Sequence, residues 1–133
     1  MDDATTLRNA GLKVTSSRLA IYACLSSLSS PATAEELFAK LHKQDIDLST
    51  LYRTLNSFVS SGLAKKEVGR GKENLYSLEG GKVEHVLVCL RCGKKVPLDG
   101  CPYHEVHEEI GQKTGFRVVD HNTEIYGICP DCQ

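Results

Sequence analysis

Two cysteine pairs carry the strongest chemical signal in the chain, Cys89-Leu90-Arg91-Cys92 and Cys129-Pro130-Asp131-Cys132. A Cys-x-x-Cys pair sits on a tight turn with both sulfurs pointing the same way, and two such turns supply the tetrahedral thiolate set that structural zinc prefers. Gly93, directly after the first pair, suits the turn. Disulfides are the competing use of these residues. The start, Met1-Asp2-Asp3-Ala4, is acidic and lacks an apolar signal segment, so the cytoplasm is the expected compartment. In that reducing setting paired Cys-x-x-Cys more often binds metal than closes bridges. The stretch from His85 to Cys132 is therefore expected to be clipped by zinc.

The elements that must hold this clip have little material to work with. At 133 residues the chain can form one ordinary domain or two small ones. Its hydrophobic content of 41% and charged content of 25% fit a soluble globular protein, and no apolar run approaches the ~20 residues of a membrane span. A net charge of −1 gives no bulk argument for nucleic acid, and splitting the chain after Lys82 leaves only +2 and −3 in the two parts. Any DNA argument must rest on where particular residues lie.

Along the first part, Thr5 to Asn9 reads as a short helix before Gly11. Thr15 caps a second helix with Leu19, Tyr22 and Leu25 at helical spacing, and Cys24 in it reads as a small buried hydrophobe. Thr33 and Glu36 form a capping box for a third. Ser49 is expected to cap a fourth helix whose Leu51, Leu55, Phe58 and Val59 face inward. Its outer face then carries Thr50, Arg53, Thr54 and Ser57, with Tyr52 at the edge and no acid, a composition suited to phosphates and base edges. Two short strands, 63–68 and 73–78, flank the basic tip Gly69-Arg70-Gly71-Lys72 and read as a hairpin. Helices followed by a basic hairpin are the order of a winged helix-turn-helix, with Arg70 and Lys72 placed to touch the DNA backbone.

Glu79-Gly80-Gly81-Lys82 reads as a hinge. Beyond it, 94–98, 116–119 and 123–128 read as strands. Cys101 and Pro102 are expected to open a helix with Tyr103, Val106 and Ile110 on its buried stripe, and His104, His107 and Glu108 on another face. A zinc-hydrolase reading of His104-Glu105-Val106-His107 fails on spacing, because that motif needs histidines four apart on a helix.

The combination resembles the ferric uptake regulator superfamily over Leu7 to Cys132. The matching pieces are Gly11-Leu12-Lys13-Val14-Thr15 with Arg18, Thr33-Ala34-Glu35-Glu36-Leu37, Ser49-Thr50-Leu51-Tyr52-Arg53-Thr54-Leu55 and Cys89-x-x-Cys92-Gly93. Gly115-Phe116 and the stretch from His121 through Glu124-Ile125-Tyr126-Gly127-Ile128-Cys129-Pro130-x-Cys132 complete the pattern. The resemblance implies an α+β chain: a winged helix-turn-helix DNA-binding domain over 1–79, a hinge at 80–83, and a small α/β dimerisation domain over 84–133 with a four-cysteine structural zinc site. It implies no enzyme but a metal-dependent homodimeric repressor of a palindromic double-stranded DNA operator, without a membrane association. Tyr52 and Arg53 would contact DNA from the recognition helix, beside the Thr50 that the face composition adds, and Lys13 and Arg18 would contact its backbone. Cys89, Cys92, Cys129 and Cys132 would hold the structural zinc.

The chain departs from the family pattern near Pro31 and at Glu84-His85, where imidazoles of the hinge-type sensor site are missing. The dimerisation-domain site then falls on His85, His104 and His121, with Cys101 able to complete it and His107 or Glu108 able to replace one ligand. Three imidazoles and a thiolate suit zinc, and the zinc uptake regulator branch is the one this resembles; a site for iron or manganese would more naturally keep carboxylates. Iron, manganese or peroxide response is the alternative, as is a thiol switch at Cys101, and Cys101-Pro102 also permits a haem reading. On the zinc reading, metal at this site biases the hinge toward a dimer spaced for successive major grooves.

Overall fold

In the computed structural model, which describes residues 1–81, 85–119 and 121–133, each of the first four helices starts on a side-chain cap. Asp2 accepts from the Thr5 N–H ahead of α1 (Asp3–Asn9), and Thr15 from the Arg18 N–H ahead of α2 (Ser16–Ser26). Thr33 and Glu36 close the reciprocal capping box of α3 (Ala34–Lys40). The cap of α4 (Leu48–Ser60) is Asp47 rather than the expected Ser49: its carboxylate accepts from the Thr50 N–H at 2.7 Å and from the Ser49 hydroxyl at 3.2 Å. An anionic acceptor at a helix N-terminus satisfies an orphan N–H and complements the dipole, which a hydroxyl does less well.

These helices bury one face each in a common core of Leu7, Ile21, Leu25, Leu37, Leu51, Leu55 and Phe58. Thr54, expected on the outer face of α4, is instead 7% exposed, because Leu51, Thr54, Leu55 and Phe58 follow the i, i+3, i+4, i+7 stripe that points inward. Strands β1 (Ala64–Val68) and β2 (Asn74–Leu78) pair antiparallel, Ala64 opposite Leu78. Ala32 adds a single bridge to Tyr76 of β2, which ties the entry of α3 to the hairpin.

The chain divides into two compact units, Met1–Val83 and Glu84–Gln133. Of the expected hinge, Gly80 and Gly81 are described, while Lys82 and Val83, together with Glu84, lie outside the described residues. The second unit is a three-stranded sheet in the order β4-β3-β5, formed by β3 (His85–Cys89), β4 (Lys95–Leu98) and β5 (Glu124–Gly127). The β3–β4 pair is antiparallel and the β3–β5 pair parallel, so α5 (His104–Thr114) serves in the crossover a parallel pair requires.

Three expectations fail in this unit. Helix α5 begins at His104, with Cys101 and Pro102 before it and no side-chain cap. Residues 116–119 form no strand and add to neither outer edge of the sheet. Helix α5 also buries no side chain: Val106 and Ile110 are exposed, as are Phe116 and Val119. Among the described residues no helix is long and apolar enough to cross a membrane.

Candidate metal centres and nucleic-acid face

Parallel pairing of β3 with β5 is what builds both metal-ligand clusters. The register sets Cys89 opposite Gly127 and Val86 opposite Glu124, so each end of the pair gathers residues distant in sequence. Five-residue β3 separates its two ends by about 13 Å.

At the C-terminal end, Cys89, Cys92, Cys129 and Cys132 place their sulfurs within 4.8 Å of one another. Gly93 turns the chain after the first pair with φ 77°, a left-handed conformation that glycine adopts without strain, and its N–H donates to the Cys89 carbonyl. The second pair lies on the 3-10 turn Pro130–Cys132, held by the Arg91 guanidinium donating to the Cys132 carbonyl. Cys92 Sγ and Cys129 Sγ are 3.7 Å apart; the edge of a zinc tetrahedron with ~2.3 Å Zn–S bonds is about 3.8 Å. N–H groups of Cys129 and Cys92 donating to Cys89 Sγ bring that thiol down to about 5, whereas hydrogen bonding to the Cys129 and Cys92 sulfurs pushes Cys132 up to about 12. The donor set fits zinc.

At the opposite end, His85, Cys101 and His121 bring one ligand atom each within 4.8 Å of one another. His85 is buried, and its Nδ1–H donates to the Thr123 carbonyl oxygen at 3.2 Å, which leaves Nε2 of the neutral ring with a lone pair. That Nε2 is 2.8 Å from His121 Nε2, and Cys101 Sγ is 3.6 Å from the same His121 nitrogen. Tyr103 packs edge-on against both imidazoles, with centroids 5.7 and 5.1 Å away.

His104, expected to join this group, does not: its imidazole is exposed and faces Glu108 across 3.9 Å. His107 stands closer, with Nε2 2.6 Å from His121 Nδ1. The cause is the late helix start. With Cys101 outside α5, Cys101 and His104 are not one helical turn apart and do not share a face.

On the first unit, Tyr52 and Arg53 are exposed near the start of α4, where Arg53 Nη2 donates to Thr50 Oγ1 at 3.2 Å and the Tyr52 hydroxyl donates to Glu35 at 2.8 Å. Arg70 and Lys72 are exposed at the hairpin tip, Lys72 with φ 68°. Lys13 is exposed, and its carbonyl accepts from Arg18 Nη1 at 2.7 Å, so Arg18 also braces the α1–α2 connector.

Residues 9–126 match the model of the ferric uptake regulator family. The chain belongs to that family. It is 31% identical to the ferric uptake regulation protein of Legionella pneumophila, with both chains covered in full. It also superposes on the ferric uptake regulator of Vibrio cholerae with a TM-score of 0.79 at 32% identity, over 96% of this chain and 100% of the other. The manganese-containing ferric uptake regulator of Pseudomonas aeruginosa gives 0.77 at 28% identity, over 98% and 99%.

As a ferric uptake regulator family protein the chain is a metal-responsive transcription regulator and not an enzyme, and regulators of this family are DNA-binding dimers. Its mixed helix-and-sheet architecture matches the family structures, and its own four-cysteine cluster is consistent with a structural zinc site. Sequence reading missed Thr123 as the orienting group behind His85, because a backbone carbonyl carries no side-chain signal. It placed Tyr103 on a buried stripe and His107 behind His104; only the position of the α5 start, which lacks a side-chain cap to announce it, separates these cases.

Proposed function

We propose that the chain is a zinc-sensing homodimeric repressor of the zinc uptake regulator branch, acting on a palindromic operator in the cytoplasm. The carrying observation is the convergence of two imidazole nitrogens and one thiol with no carboxylate in the group among the described residues. Nitrogen and sulfur donors suit zinc, whereas iron(II) and manganese(II) more naturally take oxygen ligands. His85, Cys101 and His121 would hold the regulatory ion. His107 would keep His121 in the tautomer that presents Nε2, and His104 would stay outside the set. Cys89, Cys92, Cys129 and Cys132 would hold a structural zinc. A bound divalent ion supplies a cross-link between the entry to β3, the segment before α5 and the segment before β5.

Lys13, Arg18, Thr50, Tyr52, Arg53, Arg70 and Lys72 form the DNA face in this reading. The exposed Val106, Ile110, Phe116 and Val119 supply the apolar surface for the second copy. Metal held in the second unit biases the dimer toward the arrangement that spans two half-sites, and operator DNA tightens metal binding by the same factor. The names of the relatives favour an iron or manganese reading of the same architecture.

Metal content per chain decides between the two, measured by inductively coupled plasma mass spectrometry after loading with zinc, iron(II) or manganese(II). Each sample is paired with anisotropy on a duplex enriched from a random-sequence library. Two zinc ions per chain, with affinity for that duplex rising as the second binds, is the expected result. One retained zinc, with affinity set by added iron or manganese, would overturn the zinc assignment.

A further inference from the structure

The segment from Ala32 to Glu36 is pinned on two sides. Ala32 and Tyr76 exchange backbone hydrogen bonds of 3.0 and 2.7 Å, fixing the segment to β2. Glu36 spends its carboxylate on the capping box, taking the Thr33 N–H and hydroxyl, both at 3.1 Å. Glu35 is left out of the cap, and its Oε1 accepts the Tyr52 hydroxyl proton at 2.8 Å. Two adjacent, exposed carboxylates thus do different work: one starts α3, and the other reaches the face of α4.

That second carboxylate stands against the local charge logic. The outer face of α4 offers the exposed Tyr52 and Arg53 beside the half-buried Thr50, and an anion beside such a face opposes phosphate binding. Its bond to Tyr52 offsets this by removing the freedom of an exposed aromatic side chain, whose far end would otherwise swing about two torsions. Repulsion that acts on every sequence, combined with positioning that helps only the right one, raises discrimination rather than affinity. The Tyr52 bond also lowers the pKa of Glu35, so the carboxylate remains an acceptor.

We propose that Glu35 is a positioning residue for DNA recognition, fixing the Tyr52 ring on α4 and weakening sequence-independent binding. The inference rests on the DNA face assigned above. Substitutions separate its two parts, since Tyr52→Phe removes the bond and keeps the charge, Glu35→Gln keeps an acceptor and removes the charge, and Glu35→Ala removes both.

The test is anisotropy with the metal-loaded protein on the library-enriched duplex and on a scrambled duplex of the same composition. Tyr52→Phe is expected to lower affinity for the enriched duplex by about threefold to tenfold, the equivalent of one exposed charge-assisted hydrogen bond, with the scrambled duplex unaffected. Glu35→Gln should tighten the scrambled duplex and tighten the enriched one less, because the neutral amide oxygen is a weaker acceptor for the Tyr52 hydroxyl, so the enriched-to-scrambled affinity ratio falls. In the Glu35→Ala background, Tyr52→Phe should cost nothing further. An added loss in that background would mean that the hydroxyl acts on DNA directly, and an unchanged affinity ratio in Glu35→Ala would remove any role for the carboxylate; either overturns the proposal. Arg53→Ala is the control: if it leaves both affinities intact, the assignment of the DNA face fails and the proposal fails with it, whereas a loss there with silent Glu35 and Tyr52 variants defeats the proposal alone.

Discussion

Removing metal from the four-cysteine cluster should unfold the second unit and spare the first. Among the described residues of Glu84–Gln133, the buried apolar side chains are Val86 and Cys89, joined by the polar His85 and Thr123. Full burial of a valine stabilises by about 1.5–3 kcal/mol, which the ordering of one or two backbone residues, at about 1–2 kcal/mol each, already offsets. A structural zinc site contributes about 10–16 kcal/mol at neutral pH, so the ion outweighs the packing by several-fold. The first unit has a thirteen-residue buried cluster and needs no such clip. The assay is amide hydrogen exchange read by mass spectrometry, before and after a strong chelator, with Cys92→Ser as the genetic equivalent. Protection in β3, β4 and β5 should collapse while that of α2, α4 and β2 persists. Lasting protection of β3 and β5 in the zinc-stripped chain would refute the reasoning, as would a joint loss in both units.

For the second cluster, His85→Ala and His121→Ala should abolish binding of a second cobalt(II) ion, whereas His104→Ala should leave its stoichiometry and visible absorption unchanged. His107→Leu should weaken that ion by about 10- to 100-fold with the same band positions, the behaviour of a residue that orients a ligand. Arg70→Ala or Lys72→Ala should weaken enriched and scrambled duplexes alike and reduce the salt slope by about 1, because a wing contact to phosphate carries no sequence information. Acid should loosen the first unit through Asp47, whose hydrogen bonds from Thr50 hold its carboxyl below the ordinary 3.8. The unfolded chain takes up that proton first, so the cap's contribution is present above 3.8 and is lost as pH falls through the lower folded value. Thermal unfolding between pH 6 and pH 3 should show this acid limb, and Asp47→Asn should flatten it.

Local chemistry made much of this molecule legible in the sequence. Thr15 and the Thr33–Glu36 pair start their helices as side-chain caps must, and the stripe of Leu51, Leu55 and Phe58 declares the buried face of α4. The two Cys-x-x-Cys turns announced a four-sulfur cluster, since each turn aligns its own sulfurs without help from distant residues. The expected cap at Ser49 falls two residues late: Asp47 accepts from the Thr50 N–H, and the Ser49 hydroxyl donates to the same carboxylate. The tertiary structure decided which of the candidate ligands the parallel β3–β5 register brings together, His85 with His121 and Cys101 but without His104. It also decided that α5 starts at His104, which turns that imidazole away and sets His107 against His121. Strand register and an uncapped helix start are set by long-range pairing and packing, and no residue near either one encodes them.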